Sequence, residues 1–305
     1  MSGKTAAQTD PAQRIVVTNG DAAELLIAIG AKDRIVGVSD SVKSDPVLGP
    51  LFENVESIGN WQTPNPEVIL SLNASTVVGY ASYKPKNLDQ LTAANISLLY
   101  LDCYKIETLP SDARTLGDLT GHEAGAERYV SYLQGYEELV QSRIASLNGT
   151  GKPRVYFESY SDYSAQSGGT GSDNLIVLAG GENIATDIPV SSPKVNAEWL
   201  VAQNPDVILK VATPSKNATE IAGTWNSVAN RTGMDTVTAV KTGRFYIMNS
   251  DLAYGPRAAT GLLYTAKILY PDTFRDVNPE DSLDAYAGEF VSGSNRSYTL
   301  YPDLA

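Results

Sequence analysis

Asn65-Pro66-Glu67-Val68-Ile69-Leu70-Ser71-Leu72-Asn73-Ala74-Ser75-Thr76-Val77-Val78-Gly79-Tyr80 is matched without a gap by Asn196-Ala197-Glu198-Trp199-Leu200-Val201-Ala202-Gln203-Asn204-Pro205-Asp206-Val207-Ile208-Leu209-Lys210-Val211. Each copy opens on Asn-x-Glu, the chemistry of a helix N-terminus, and carries apolar residues at helical spacing (Val68, Ile69, Leu72; Trp199, Leu200). Each then turns at a polar tripeptide and ends in a β-branched run. That order predicts a short helix feeding a strand. The runs Thr76-Val77-Val78 and Val207-Ile208-Leu209 lack apolar/polar alternation, so both sheet faces are expected to be covered, as in a parallel sheet with helices on each side.

A second echo precedes the first in both halves. Leu25-Leu26-Ile27-Ala28-Ile29-Gly30 matches Leu175-Ile176-Val177-Leu178-Ala179-Gly180, each an apolar helix closed by a glycine suited to a left-handed C-terminal position. Two repeats in the same order read as one α/β design used twice, and 305 residues accommodate two such lobes. Residues 1–13 read as a flexible lead-in, 14–110 as an N-terminal α/β lobe, 111–150 as a connecting helix and 151–305 as a C-terminal α/β lobe.

Composition excludes several functions. The net charge of −12 and the lack of Lys/Arg clusters oppose a nucleic-acid partner. No apolar run approaches the length that crosses a bilayer, so any membrane attachment rests on a removed lipid anchor. The single cysteine, Cys103, provides neither an internal disulfide nor a thiolate metal site and reads as a small buried hydrophobe. The single histidine, His122, opens the connecting segment beside Glu123 and reads as solvated or capping. No catalytic constellation, resident metal site or cofactor motif stands out. The loop Gly168-Gly169-Thr170-Gly171-Ser172 fits neither a Walker A nor a dinucleotide-binding pattern. Six Asn-x-Ser/Thr sequons, at Asn73, Asn95, Asn148, Asn217, Asn230 and Asn295, lean towards an exported chain.

In order along the chain, strands are expected at Arg14–Val17 and Arg34–Val38, with a polar loop at Ser39-Asp40-Ser41. The first repeat copy follows, then a helix around Leu88 and Leu91 and a strand from Ile96 to Leu101. From Ser111 to Leu147 apolar residues recur at helical intervals, which reads as one long strut. The second half has strands at Arg154–Phe157, in the repeat and at Phe245–Met248, then a helix running to Tyr270, a short helix and a polar tail.

Ligands of open α/β sheets bind beyond the carboxyl ends of the strands. There the sequence gathers Trp61, Tyr80, Tyr83, Lys84 and Tyr104 from the first half and Tyr160, Tyr163, Tyr254 and Arg257 from the second. Seventeen tyrosines against five phenylalanines sharpen the signal, since tyrosine offers a broad face to a planar ligand and a hydroxyl to its rim. Asp40, Asp102, Glu158, Asp162 and Asp251 are an alternative set of oxygen ligands for a bare hard cation.

Taken together, the repeat strand units, Leu116-Gly117-Asp118-Leu119-Thr120-Gly121-His122-Glu123, Leu178-Ala179-Gly180-Gly181-Glu182-Asn183-Ile184-Ala185, and Gly255-Pro256-Arg257 through Leu269-Tyr270-Pro271 resemble the helical-backbone (class III) periplasmic binding proteins. The resemblance covers about residues 14–292. It implies two Rossmann-like lobes joined by a long helix, with the ligand held between the lobes. It also implies a monomeric extracytoplasmic receptor of an ABC importer that captures a metal chelate, a ferric siderophore or cobalamin/corrinoid, and delivers it to the permease. Trp61 and the tyrosines are then expected to pack on the chelate, and Arg257 or Lys84 to pair its negative groups.

The same resemblance implies a surface carboxylate on each lobe that docks on the permease. Glu220 is the counterpart in the second lobe, while the first-lobe stretch Tyr83-Lys84-Pro85-Lys86 has no Glu and leaves only Glu53 and Glu56. Three other readings stand beside this one: a receptor for haem or a bare metal ion, a chelatase on similar lobes, and a surface adhesion protein on the same scaffold. The chelatase would need a Cys or His cluster that the sequence lacks.

Overall fold

The computed structural model describes residues 11–147, 151–291 and 299–304. The lead-in up to Asp10 and the sequons at Asn148 and Asn295 lie outside these described residues. The chain forms two compact units. One holds the described residues up to Cys103 together with Thr108–Ser131, and the other holds Tyr104–Glu107 and the described residues from Tyr132 onward.

The first unit is built on five strands, β1 (Ile15–Val17), β2 (Ile35–Val38), β3 (Glu56–Ser57), β4 (Thr76–Gly79) and β5 (Ser97–Tyr100), all parallel, in the order β3-β2-β1-β4-β5. Its helices are α1 (Gly20–Ala28), α2 (Asp40–Ser44), α3 (Pro66–Ser71), α4 (Asp89–Ala93) and α5 (Leu109–Thr120), followed by the first turns of α6 (Glu123–Ala145). The first repeat copy is α3 and β4. Asn65 Oδ1 accepts Glu67 N at 3.0 Å, and every residue of β4 is buried, as its unbroken apolar run requires.

The second unit carries β6 (Arg154–Glu158), β7 (Glu182–Asn183), β8 (Val207–Ala212), β9 (Phe245–Asn249) and β10 (Leu300–Tyr301), in the order β10-β9-β8-β6-β7. Its helices are α7 (Gly171–Leu178), α8 (Ala197–Gln203), α9 (Ala218–Ala229), α10 (Thr238–Lys241), α11 (Ser250–Ala253), α12 (Ala258–Leu269) and α13 (Pro279–Glu289). The duplication holds at the level of topology. β4 lies between β1 and β5 as its repeat partner β8 lies between β6 and β9, all parallel.

The turns of the two copies match as well. Asn73 and Asn204 both adopt left-handed backbone, with φ of 49° and 45°. Asparagine tolerates that region better than other non-glycine residues, which is what the polar tripeptide is for. Gly30 and Gly180, with φ of 91° and 81°, end the paired helices α1 and α7 in the same way.

Packing follows the pattern of each lobe. In the first unit Val16 and Val77 pack with Ile58, Ile69 and Leu91; in the second, Tyr156 and Ile208 pack with Leu200, Ile221 and Phe245. Each fully buried aliphatic side chain contributes about 1.5–3 kcal/mol.

Three local expectations differ from the structure. The segment from Ser111 to Leu147 is two helices rather than one strut. Gly121, at φ 72°, ends α5, and His122 N closes the turn on Gly117 O at 2.9 Å. The spacing of Leu116, Leu119 and Ala126 runs on across this break and hid it. Ser39-Asp40-Ser41 opens α2 rather than forming a loop. The tail is not wholly polar coil: β10 pairs antiparallel with β9, Leu300 opposite Met248 and Tyr301 opposite Ile247. Two residues are too few to show a period.

Candidate functional site

In the first unit the carboxyl end of β4 delivers Tyr80, whose ring meets Trp61 edge-on at 5.6 Å and Tyr83 at 6.5 Å. Such edge-to-face geometry is favoured by the ring quadrupoles. The Tyr80 hydroxyl donates to Asp21 Oδ2 at 2.5 Å, and Asp21 lies in the first turn of α1, where the helix dipole favours its negative charge. Tyr83 is 57% exposed. Its loop is tied down by Ser82, whose N and Oγ donate to the buried Asp102 at 2.8 and 2.7 Å. Lys84 Nζ sits 4.8 Å over the Tyr100 ring.

In the second unit Tyr254 packs edge-on against Tyr104 at 6.2 Å and at a tilt against Phe157 at 6.4 Å, and its hydroxyl lies 2.8 Å from Ser172 Oγ. Burial, followed by the neighbouring Tyr160, pushes the Tyr254 phenol up, so it is a neutral hydroxyl at physiological pH. Tyr160 is 53% exposed. Arg257 is 1% exposed, with Nη1 3.4 Å from Asp251 Oδ2 and its guanidinium 5.7 Å over Tyr286. Burial raises the Asp251 carboxyl and Arg257 opposes the shift. Arg257 is thus packed among protein groups rather than presented to solvent.

The loop bearing Tyr160 and Tyr163 is organised by a buried carboxylate. Glu158 ends β6 and accepts from Lys210 Nζ at 2.9 Å and from both Nη atoms of Arg231 at 2.7 and 2.9 Å. Lys210 also donates to Ser159 O at 2.8 Å and to Tyr160 O at 3.3 Å. Arg231 reaches Asp162 at 2.6 Å and lies 4.4 Å over the Tyr163 ring, while Tyr163 N donates to Glu158 Oε2 at 2.9 Å. Burial alone would raise the Glu158 carboxyl, but Arg231 and Lys210 outweigh it and hold it below its ordinary value.

Sequence reasoning passed over Asp21, Lys210 and Arg231 as site residues. Lys210 left a signal, a cation inside the apolar run of β8. Asp21 is an acid in the first turn of α1, where such residues are common, and Arg231, in the turn after α9, left no signal. The five carboxylates proposed for a bare cation are otherwise engaged. Asp40 accepts from Ser57 at 2.5 Å, Asp102 from Ser82, Glu158 and Asp162 from Arg231, and Asp251 from Arg257. Among the described residues no group of three His, Cys, Asp or Glu side chains is arranged to hold a metal ion. Glu220 forms a capping box at the start of α9: its Oε2 accepts Asn217 N at 2.9 Å and Asn217 Oδ1 accepts Glu220 N at 3.0 Å.

Two α/β units that share a parallel four-stranded core, β2-β1-β4-β5 in one and β7-β6-β8-β9 in the other, each with aromatic residues at the carboxyl edge of its sheet, define a two-lobed solute-binding fold. The family model described as periplasmic binding protein matches residues 15–252, and the chain belongs to that family. It is 28% identical over 220 residues to a vitamin B12-binding protein of Pectobacterium carotovorum subsp. carotovorum (strain PC1), covering 70% of this chain and 76% of that one. Its fold is similar to that of a periplasmic heme-binding protein from Pseudomonas aeruginosa, with a TM-score of 0.71 at 22% identity over 86% of this chain and 94% of the other. The TroA-like periplasmic binding protein FepB from Veillonella parvula is similar at a TM-score of 0.77 and 22% identity, over 98% and 96%. The family and these neighbours are binding proteins. Among the described residues no helix is long and apolar enough to cross a membrane.

Proposed function

We propose that the chain is the extracytoplasmic receptor of an ABC importer for a metal chelate, with a corrinoid as the best-supported cargo. The observation that carries this is the pair of aromatic clusters, Trp61-Tyr80-Tyr83 in one unit and Tyr104-Tyr254 with Tyr160 in the other. Broad aromatic faces with hydroxyl rims suit a large, flat, polar-edged macrocycle. Similarity to vitamin B12-binding proteins supports the corrinoid over haem, and the engagement of the five carboxylates disfavours a bare ion. No covalent chemistry is assigned to the receptor.

Docking on the permease is assigned to acidic residues on both units. Glu220 starts α9, the helix after the repeat strand β8, and is exposed. The offset of 131 residues that relates Asn65 to Asn196 relates Asp89 to Glu220. Asp89 lies exposed in the first turn of α4, the helix after β4, and takes the role for which Glu53 and Glu56 were candidates. Calorimetric titration of the purified protein with cobalamin tests the receptor role. Saturable binding at one site per chain is expected, and heat from free metal salts alone would overturn it.

A further inference from the structure

Resting on that receptor reading, we infer that Lys210 and Arg231 are positioning residues for ligand capture: without touching the cargo, they hold the loop of residues 159–164 in the conformation that presents Tyr160 to it. Lys210 Nζ has three protons, and its acceptors are Glu158 Oε1, Ser159 O and Tyr160 O. The two peptide units that flank the Tyr160 Cα are therefore held by one ammonium group. Arg231 grips the other arm of the loop. Its guanidinium takes both oxygens of Glu158, reaches Asp162 Oδ1 at 2.6 Å and lies 4.4 Å over the Tyr163 ring. Glu158 joins the two grips and accepts Tyr163 N at 2.9 Å.

Two features tie the network to the loop rather than to the core. Tyr163 adopts left-handed backbone, with φ of 57°, a conformation that a bulky residue keeps only where its surroundings impose it. Glu158 on its amide, Arg231 over its ring and Val195 N on its carbonyl at 3.0 Å are those surroundings. The second feature is the charge itself. A buried carboxylate with buried cations adds little stability over well-packed apolar side chains, yet Lys210 stands in the buried central strand β8 to supply it. What these charges provide, and apolar residues would not, is a set of directional bonds to loop atoms. Ser159 N donates to Ser164 O at 2.8 Å and closes the neck of the loop, within which Tyr160 is exposed. A loop already in its binding conformation needs no ordering when the cargo arrives, and apparent affinity rises with the fraction of molecules in that conformation.

The test is a double-mutant cycle on cobalamin affinity, using the wild type, Lys210→Met, Arg231→Gln, Tyr160→Ala and each network variant combined with Tyr160→Ala, together with amide hydrogen exchange of the ligand-free proteins. Each network variant should bind cobalamin about fivefold or more weakly than the wild type, and the loss should shrink to within about twofold when Tyr160→Ala is also present, because no anchor is then left to position. In the free network variants the Ser159 and Ser164 amides should exchange about tenfold or more faster than in the wild type, with those of β1 and β4 unchanged. A loss of the same size with and without Tyr160→Ala marks the network as a general support of the fold and overturns the inference. Unchanged cobalamin affinity, or unchanged loop exchange, in both network variants overturns it as well; each of these results leaves the receptor reading standing. Lys210 lies in the central strand and Arg231 in a turn, so if Lys210→Met does not fold, Arg231→Gln decides. A wild type that does not bind cobalamin removes the corrinoid receptor reading and the inference with it.

Discussion

Lys210 Nζ lies 2.9 Å from Glu158 Oε1, with side chains only 3% and 1% exposed, on neighbouring strands in register at the carboxyl end of the second sheet. Arg231 completes the site by donating to both carboxylate oxygens. A buried ion pair adds little over an apolar pair, but a partner left alone is strongly unfavourable. Glu158→Gln, which leaves two buried cations facing a neutral group, should lower stability by about 3–5 kcal/mol. Lys210→Met leaves Glu158 with Arg231 and should be the milder change. Urea denaturation checks the order, and a Glu158→Met/Lys210→Met double variant should lose less than the sum of the single Met variants.

Acid should find the same group. The folded-state carboxyl of Glu158 lies below its ordinary value of 4.5. The unfolded chain then takes up the proton first, so the stabilisation is complete above that value and is lost as pH falls through the lower folded value. Denaturant midpoints measured from pH 6 down to pH 3 should fall more steeply in the wild type than in Glu158→Gln. Parallel curves would show that other carboxylates govern the acid limb.

The left-handed turns of the repeat are separable by substitution. Asn73→Ala should destabilise by about 1–2 kcal/mol and Asn73→Gly should be near neutral, because only the first places a Cβ in left-handed backbone. Asn204→Ala should be worse than Asn73→Ala, since Asn204 Oδ1 also accepts Thr238 N at 2.8 Å. Thermal melts of the three variants check the ranking.

Much of this architecture was legible because it is written twice. The runs Thr76-Val77-Val78 and Val207-Ile208-Leu209, without apolar/polar alternation, follow from strands covered on both faces, and the Asn and Gly turn residues follow from left-handed backbone that few other residues tolerate. The break at Gly121 was not legible, because α5 and α6 keep one apolar rhythm across it. At the candidate site, the aromatic residues were visible as a tyrosine excess in loops. Their partners were not: Asp21 doubles as a first-turn acid, and Arg231 comes from a turn far along the chain whose only bond to the site is spatial.

Docking and ligand capture should separate. Glu220→Gln keeps the acceptor that caps α9, so its melting temperature should match the wild type, as should that of Asp89→Asn. Removing one partner of a charge pair at an interface costs about 2–5 kcal/mol, so each variant should bind the reconstituted permease about tenfold or more weakly. Cobalamin affinity should stay within about twofold, because neither residue belongs to the aromatic clusters. Unchanged permease affinity in both variants would remove them from the docking surface.

The most direct measurement is a tryptophan and tyrosine fluorescence titration of the purified protein with cobalamin, haemin, a ferric siderophore and free metal salts, repeated for Tyr80→Ala and Tyr160→Ala. Saturable quenching by cobalamin, with the midpoint shifted about tenfold or more by either substitution, is the expected result, since buried aromatic anchors carry about 2 kcal/mol or more of binding. Saturation by free metal ions alone, or by no compound in the set, would contradict a metal-chelate receptor built on these two clusters.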